Sequence, residues 1–365
     1  MKGFHYIISA LLLVASCSCG GSSDSSDQPQ AVTISISPGT YSAEYEKEEA
    51  TFTVECSGEW SVYSESSWIT TSKARDAKSF TATIAANTTY DSRTGYAVVK
   101  SGVTTKKVEV TQAGTPLPEV DDSITVPAGY KLVWHDEFNE GTEPSSDWYY
   151  ETGGGGWGNN EQQTYVKCYT PSGEQLATVA DGKLTIKLAK IDGTVYSIRM
   201  NTNQSWTYGY FEARLKLPKG KGTWPAFWMM PKNYTSWPDD GEIDIMEEVG
   251  YNPNYVSSSI HCKAYYHSIN TQKTAERYLA GAQDDFHVYA CEWTKDYIRT
   301  FVDGEELFYF ANDGKNDYTT WPFKNPFYLK LNLAWGGDWG GAQGLDESCL
   351  PATYEIDYVR VFQPE

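Results

Sequence analysis

At 365 residues the chain has room for two or three domains and a sizeable core. A net charge of −19 argues against a nucleic-acid partner, because phosphate binding needs basic surface, and is compatible with a neutral ligand. With 27 Tyr, 13 Trp, recurrent Gly and Pro and no long amphipathic run, the composition favours an all-β protein over a helical bundle.

Met1-Lys2 precedes an apolar run from Tyr6 to Ala15 that is too short for a permanent membrane span and reads as the core of a signal peptide. It ends Leu13-Val14-Ala15-Ser16-Cys17, which resembles a bacterial lipobox with Cys17 as the lipidated residue; an ordinary signal peptide cut nearby is the alternative. Residues 1–16 are then a lipoprotein signal peptide and 17–31 a flexible tether. The expectation is an exported lipoprotein at the outer membrane or surface of a Gram-negative cell. Cys56, Cys168, Cys262, Cys291 and Cys349 show no metal-type spacing, and an odd set cannot all pair. No disulfide framework is expected, and a Cys262–Cys291 bridge stays open.

Residues 32–114 alternate with period two in short runs: Thr33-Ile34-Ser35-Ile36, Ala50-Thr51-Phe52-Thr53-Val54, Phe80-Thr81-Ala82-Thr83-Ile84 and Lys107-Val108-Glu109-Val110-Thr111. Turn residues between them predict a small immunoglobulin-like β-sandwich. Trp60-Ser61-Val62, Trp68-Ile69 and the closing Val110-Thr111-Gln112-Ala113-Gly114 make the segment similar to the BACON domain, a module of polysaccharide-degrading lipoproteins. It contains no histidine and nothing that resembles a catalytic group. The reading is a rigid spacer with Trp60 and Trp68 in its core; a sugar platform is the alternative.

Thr115-Pro116-Leu117-Pro118 opens a stiff linker over 115–128. From 129 to 365 strand-like runs multiply, Trp becomes dense and glycine clusters appear, a texture that fits one large β-sandwich. The run from Tyr354 to Phe362 is expected to close its sheet.

The chemistry concentrates in Glu242-Ile243-Asp244-Ile245-Met246-Glu247. Alternation puts Glu242 and Asp244 on one face and the isoleucines in the core. A regular strand would bury Glu247 with the isoleucines, at high cost for an unpaired carboxylate. A β-bulge at Ile245-Met246 would return Glu247 to the acidic face. Three crowded acids suit glycoside hydrolysis, which needs a carboxylate nucleophile and a protonated partner with a raised pKa. The alternative is a solvated acidic strand, with Glu248 as one more surface charge.

This strand resembles the active-site signature of glycoside hydrolase family 16 in its bulged form. The resemblance continues through Trp134-His135-Asp136-Glu137-Phe138, Gly156-Trp157-Gly158-Asn159-Asn160-Glu161-Gln162, Tyr208-Gly209-Tyr210-Phe211-Glu212-Ala213-Arg214, Gly222-Thr223-Trp224-Pro225-Ala226-Phe227-Trp228 and Ile260-His261, which look like the laminarinase-type branch. It implies a concanavalin-like β-jelly roll with a concave cleft. It also implies Glu242 as nucleophile, Glu247 as acid/base, Asp244 as assisting carboxylate, and endo-hydrolysis of a β-1,3- or mixed-linkage β-1,3-1,4-glucan with retention. No cofactor takes part in that chemistry, and a monomer is expected.

Trp224 and Trp228, four apart on one strand face, are candidates to stack on glucose rings, as is Trp335; Trp206, Trp237 and Trp339 are looser candidates. Asn160, Gln162 and His261 are candidates to bond sugar hydroxyls. Tyr210 stands where the family often has Arg, a departure expected to alter a distal subsite. Many members carry a structural calcium, for which the matching positions are Glu137, Gly182 and Asp357. Two rivals remain: an algal galactanase (agarase or porphyranase) of the same fold, and a non-catalytic glycan-binding lipoprotein.

Overall fold

The computed structural model describes residues 32–116 and 124–365, so the proposed signal peptide, Cys17 and the tether lie outside the described residues. The chain divides into two compact units between Thr115 and Pro116.

In the N-terminal unit the period-two alternation builds two four-stranded sheets. One runs Ile34–Ser37, Glu48–Cys56, Ser79–Ile84, Ile69–Lys73, and the other Thr40–Ala43, Thr104–Gln112, Arg93–Ser101, Ser61–Ser64. Their inward residues, among them Phe52, Phe80, Ile84, Val99 and Val110, make one core. Phe52 and Phe80 sit opposite each other in register and stack at 4.9 Å. Trp60 is buried and donates its indole N–H to the Ala77 carbonyl. Trp68 lies between the Arg93 guanidinium, 4.3 Å from its ring, and the Gly95 backbone, where an added Cβ would come within 2.6 Å of the indole. Both rings are packing groups, not open platforms.

The C-terminal unit is a sandwich of a seven-stranded and a ten-stranded sheet. The run around Tyr354–Phe362 belongs to the strand Ala352–Pro364, which pairs with Lys183–Ile191, Gly209–Lys216 and Tyr130–Asp136. It lies inside the ten-stranded sheet, not at its edge. Trp293 of that sheet meets Phe327 of the other at 5.0 Å, and Ile243, Ile245, Leu329 and Leu331 fill the space between. Burying these apolar faces is the main force holding the sheets together. The five described cysteines are free, Cys262 and Cys291 included.

Candidate active site

The acid strand Glu242–Glu247 lies inside the seven-stranded sheet, whose order is Trp148–Tyr150, Arg199–Thr202, Phe327–Trp335, Thr223–Pro231, Glu242–Glu247, Tyr255–His261, Lys273–Tyr278. Its register breaks where the spacing predicts. Toward one neighbour Trp228 faces Asp244 and Phe227 faces Met246; toward the other Asp244 faces Ser259 and Glu247 faces Ser257. Ile245 and Met246 are both buried, so the bulge absorbs one residue and Glu247 rejoins the face of Glu242 and Asp244. Glu248 then turns inward. Far from being a surface charge, it is fully buried, accepts from the Asn254 N–H at 2.6 Å and from Gln283 Nε2 at 3.1 and 3.2 Å, and burial raises its pKa to about 7.

Cross-strand registers lay out the face in rows. One row is Asn201, Lys330, Trp228, Asp244, Ser259, Thr274; the next is Arg199, Asn332, Ala226, Glu247, Ser257, Glu276. The acids are held by indoles. Trp237 Nε1 donates to Glu242 Oε2 at 2.9 Å, and Trp224 Nε1 donates to Glu247 Oε1 at 2.9 Å. His261 Nε2 lies 3.3 Å from Asp244 Oδ2, outside hydrogen-bond geometry, and that oxygen is buried with no hydrogen-bond partner. Burial first, and then the Asp244 charge, push Glu242 up to about 8. Burial and Asp244 raise Glu247 as well, and burial raises Asp244. Among the described residues no lysine or arginine is bonded to any of the three. At neutral pH the cluster therefore holds protons, which a proton donor requires.

Beneath Trp228 lies a cationic floor that the sequence did not disclose. Arg199 Nε and Lys330 Nζ both reach Glu151 Oε2, at 2.5 and 2.7 Å. The Arg199 guanidinium sits 4.7 Å from Trp157 and 5.0 Å from Trp228, and Lys330 sits 4.8 Å from Trp228. Against the burial that raises it, the two cations bring Glu151 down to about 2, while burial and Arg199 lower Lys330 to about 7. Trp228 is anchored further by its N–H to Asn332 Oδ1 at 2.7 Å. These partners lie 48, 104 and 179 residues apart in sequence, so no local pattern could announce them.

The other expected site residues divide. Trp224, Trp228 and His261 line the acid-bearing face, and Trp237 joins His261 at a ring separation of 6.0 Å. Trp339 packs edge-on to Trp224 at 5.4 Å. Asn160 is exposed but donates to both Asp338 carboxylate oxygens, and Gln162 is exposed beside Gly336. Trp335 is a correction. Only 1% exposed, it follows Leu329, Leu331 and Leu333 into the core, and Gly222 must lack a side chain because a Cβ there would meet its ring at 2.7 Å. Trp206 is likewise buried. Tyr210 belongs to the ten-stranded sheet, next to Tyr130, Phe301 and Phe362, so it cannot shape a subsite on the acid face.

Glu137, Gly182 and Asp357 do line one cavity of about 770 Å³ on the ten-stranded sheet. Both carboxylates are, however, occupied by arginine. Arg360 grips Glu137 through two bonds of 2.8 and 2.9 Å, and Arg214 holds Asp357 at 2.5 Å. Two guanidinium groups inside the donor set oppose a divalent cation, so the residues as arranged do not fit calcium; they form two ion pairs instead.

A model of the glycosyl hydrolases family 16 matches residues 164–360, more than half the chain. The chain belongs to this family. Residues 33–115 match a viral BACON domain model. A β-glucanase of Rhodothermus marinus is 45% identical over 248 residues, covering 64% of this chain and 85% of that protein. The X-ray structure of the laminarinase from Rhodothermus marinus superposes with a TM-score of 0.61 at 44% identity, over 65% of this chain and 98% of that one. A family 16 non-specific endo-β-1,3(4)-glucanase gives 0.62 at 42% identity, over 66% and 94%. The family fold thus agrees with the jelly roll expected from the motifs.

Proposed function

We propose that the chain hydrolyses β-glucans internally, at β-1,3 links and in mixed β-1,3-1,4 chains, with retention of anomeric configuration. The carrying observation is the bulged strand that puts Glu242, Asp244 and Glu247 on one face with no lysine or arginine bonded to them. In the form in which Glu242 is ionised and Glu247 protonated, the Glu242 carboxylate attacks the anomeric carbon as Glu247 gives its proton to the leaving oxygen. Glu247, now a carboxylate, takes a proton from water, which attacks the same carbon and frees Glu242. Asp244 raises both neighbours, so a proton stays available on Glu247 near neutrality. Trp228, braced by Arg199 and Lys330, offers a firm face for a glucose ring. Trp224, Trp228 and Trp237 wall the three carboxylates, a surface that supports a neutral glucan over a sulfated galactan.

The test is product analysis on laminarin, barley mixed-linkage glucan and agarose, with the anomer followed by NMR. Release from the two glucans with a β-configured first product supports the reading. Release from agarose alone, or none from any polymer with Glu242 intact, overturns it. We further propose a monomer, tethered through Cys17 to the outer membrane, with the BACON unit as spacer. The Leu13–Cys17 sequence supports this, and Cys17→Ala should move the protein from the membrane fraction to the soluble one.

A further inference from the structure

Two strands lie on the far side of the acid strand from Trp228: Tyr255–His261 and Lys273–Tyr278. Beside the acids they present His261 opposite Glu242, then Ser259, Ser257 and Thr274, a shelf of small hydroxyls, with Glu276 at its end. One step further along, in the direction leading away from Glu242, the same face ends in two tyrosines. Tyr255 is two residues from Ser257, the partner of Glu247, and Tyr278 is two residues from Glu276, the partner of Ser257. Alternation therefore turns both rings to the acid-bearing face. Their neighbours confirm the parity: Val256 is fully buried, and Arg277 reaches the other sheet at the Val302 carbonyl and Glu305.

The two tyrosines are cross-strand partners with ring centroids 5.3 Å apart at 61°, yet remain 39% and 55% exposed. Paired aromatic rings left this open to water serve packing poorly and serve a sugar ring well. Their backbone is fastened from below. Asn254, just before Tyr255, gives its N–H to the buried Glu248, takes the Gln283 N–H on Oδ1 and takes the Leu279 N–H, just after Tyr278, on its carbonyl. Glu248 follows Glu247 directly, so the proton donor and the tyrosine pair share one rigid mount.

We propose that Tyr255 and Tyr278 form an aromatic platform that binds the leaving part of the glucan, beyond the proton donor. This rests on the glucanase reading above, because it takes Glu247 as the acid that serves the leaving oxygen. A glucan crossing the sheet passes the nucleophile, then Glu247, then the pair. With strands about 4.8 Å apart, Tyr255 and Tyr278 stand about one and two strand spacings from the acid strand, a span suited to one or two sugar rings. The ligand class is a neutral β-linked glucose chain, held by ring stacking and not by charge.

The experiment compares Tyr255→Ala, Tyr278→Ala, the double variant and the matching Phe variants on two substrates. One is laminarin, which fills both sides of the bond; the other is an aryl β-laminaribioside, whose sugars fill only the nucleophile side. The double Ala variant should lose about tenfold in kcat/KM on laminarin, as expected for two lost stacking contacts, and keep the parent rate on the aryl glycoside. Partition of the glycosyl-enzyme to added laminaribiose over water should fall in parallel, and the Phe variants should behave as the parent. Unchanged laminarin kinetics in the double variant, or an equal loss on both substrates, would overturn the platform. Inactivity of the parent on both substrates would instead overturn the glucanase reading.

Discussion

The three acids of the Glu242–Glu247 strand and the acids of the ten-stranded sheet are held in opposite ways. On the ten-stranded sheet acids are matched to cations: Glu137 to Arg360, Asp357 to Arg214, Glu355 to Lys183, Glu306 to Arg299. On the seven-stranded sheet Glu242, Asp244 and Glu247 crowd together with two indole N–H groups and one histidine close by. Paired acids secure a fold. Acids held close without a counter-charge store electrostatic work, which stability alone would not select.

The largest effect that contrast predicts is on rate. Glu242→Gln or Glu247→Gln should lower kcat on laminarin by about 10³-fold or more without loss of Tm, whereas Arg360→Met should leave kcat nearly intact. Arg360→Met should instead cost about 3 kcal/mol of stability in urea unfolding, because it leaves the half-buried Glu137 with His135 alone as a partner. If it removed activity and left stability alone, the contrast would fail.

The next effect is on pH. Asp244→Asn deletes a charge that raises Glu247, so the alkaline limb of kcat/KM should move down by about one unit. Stability carries the same signature. Glu242 rises from 4.5 unfolded to about 8 folded, so proton binding favours the folded form and stability declines as pH climbs between those values. Glu242→Gln should therefore melt above the parent at pH 8 and close to it at pH 4. A parent whose Tm gap from Glu242→Gln is the same at both pH values would contradict the unpaired cluster. The smallest effect is expected at Arg214→Met, whose pair with Asp357 is over a third exposed on the arginine side; the change should stay within about 0.5 kcal/mol.

Much of the site is legible in the sequence. The five-residue spacing of Glu242 and Glu247 demanded the bulge, and the four-residue spacing of Trp224 and Trp228 put both rings on the acid face. The same parity places Trp335 in the core: Leu329, Leu331 and Leu333 mark the inward positions, and Trp335 continues them. Glu248 follows from the bulge as well, since returning Glu247 to the cleft face sends its neighbour inside. The surroundings of Glu137 and Asp357 are a different case. Whether Glu137 and Asp357 face a cation or an arginine depends on strands 143 and 223 residues away in sequence. The Glu151, Arg199 and Lys330 floor is likewise non-local, its contacts spanning 48 and 179 residues of sequence.

The bulge also bears on how this strand can change length. Removing Met246 would leave Glu-Ile-Asp-Ile-Glu, a regular strand whose second glutamate already shares a face with the first. The acids would keep their order, and Glu248 would still fall on the inner side. One codon could thus be lost or gained here while every chemical role passed to the same glutamate. The acid strand is tolerant of insertion at the one point where a framework built on strict alternation would be expected to forbid it.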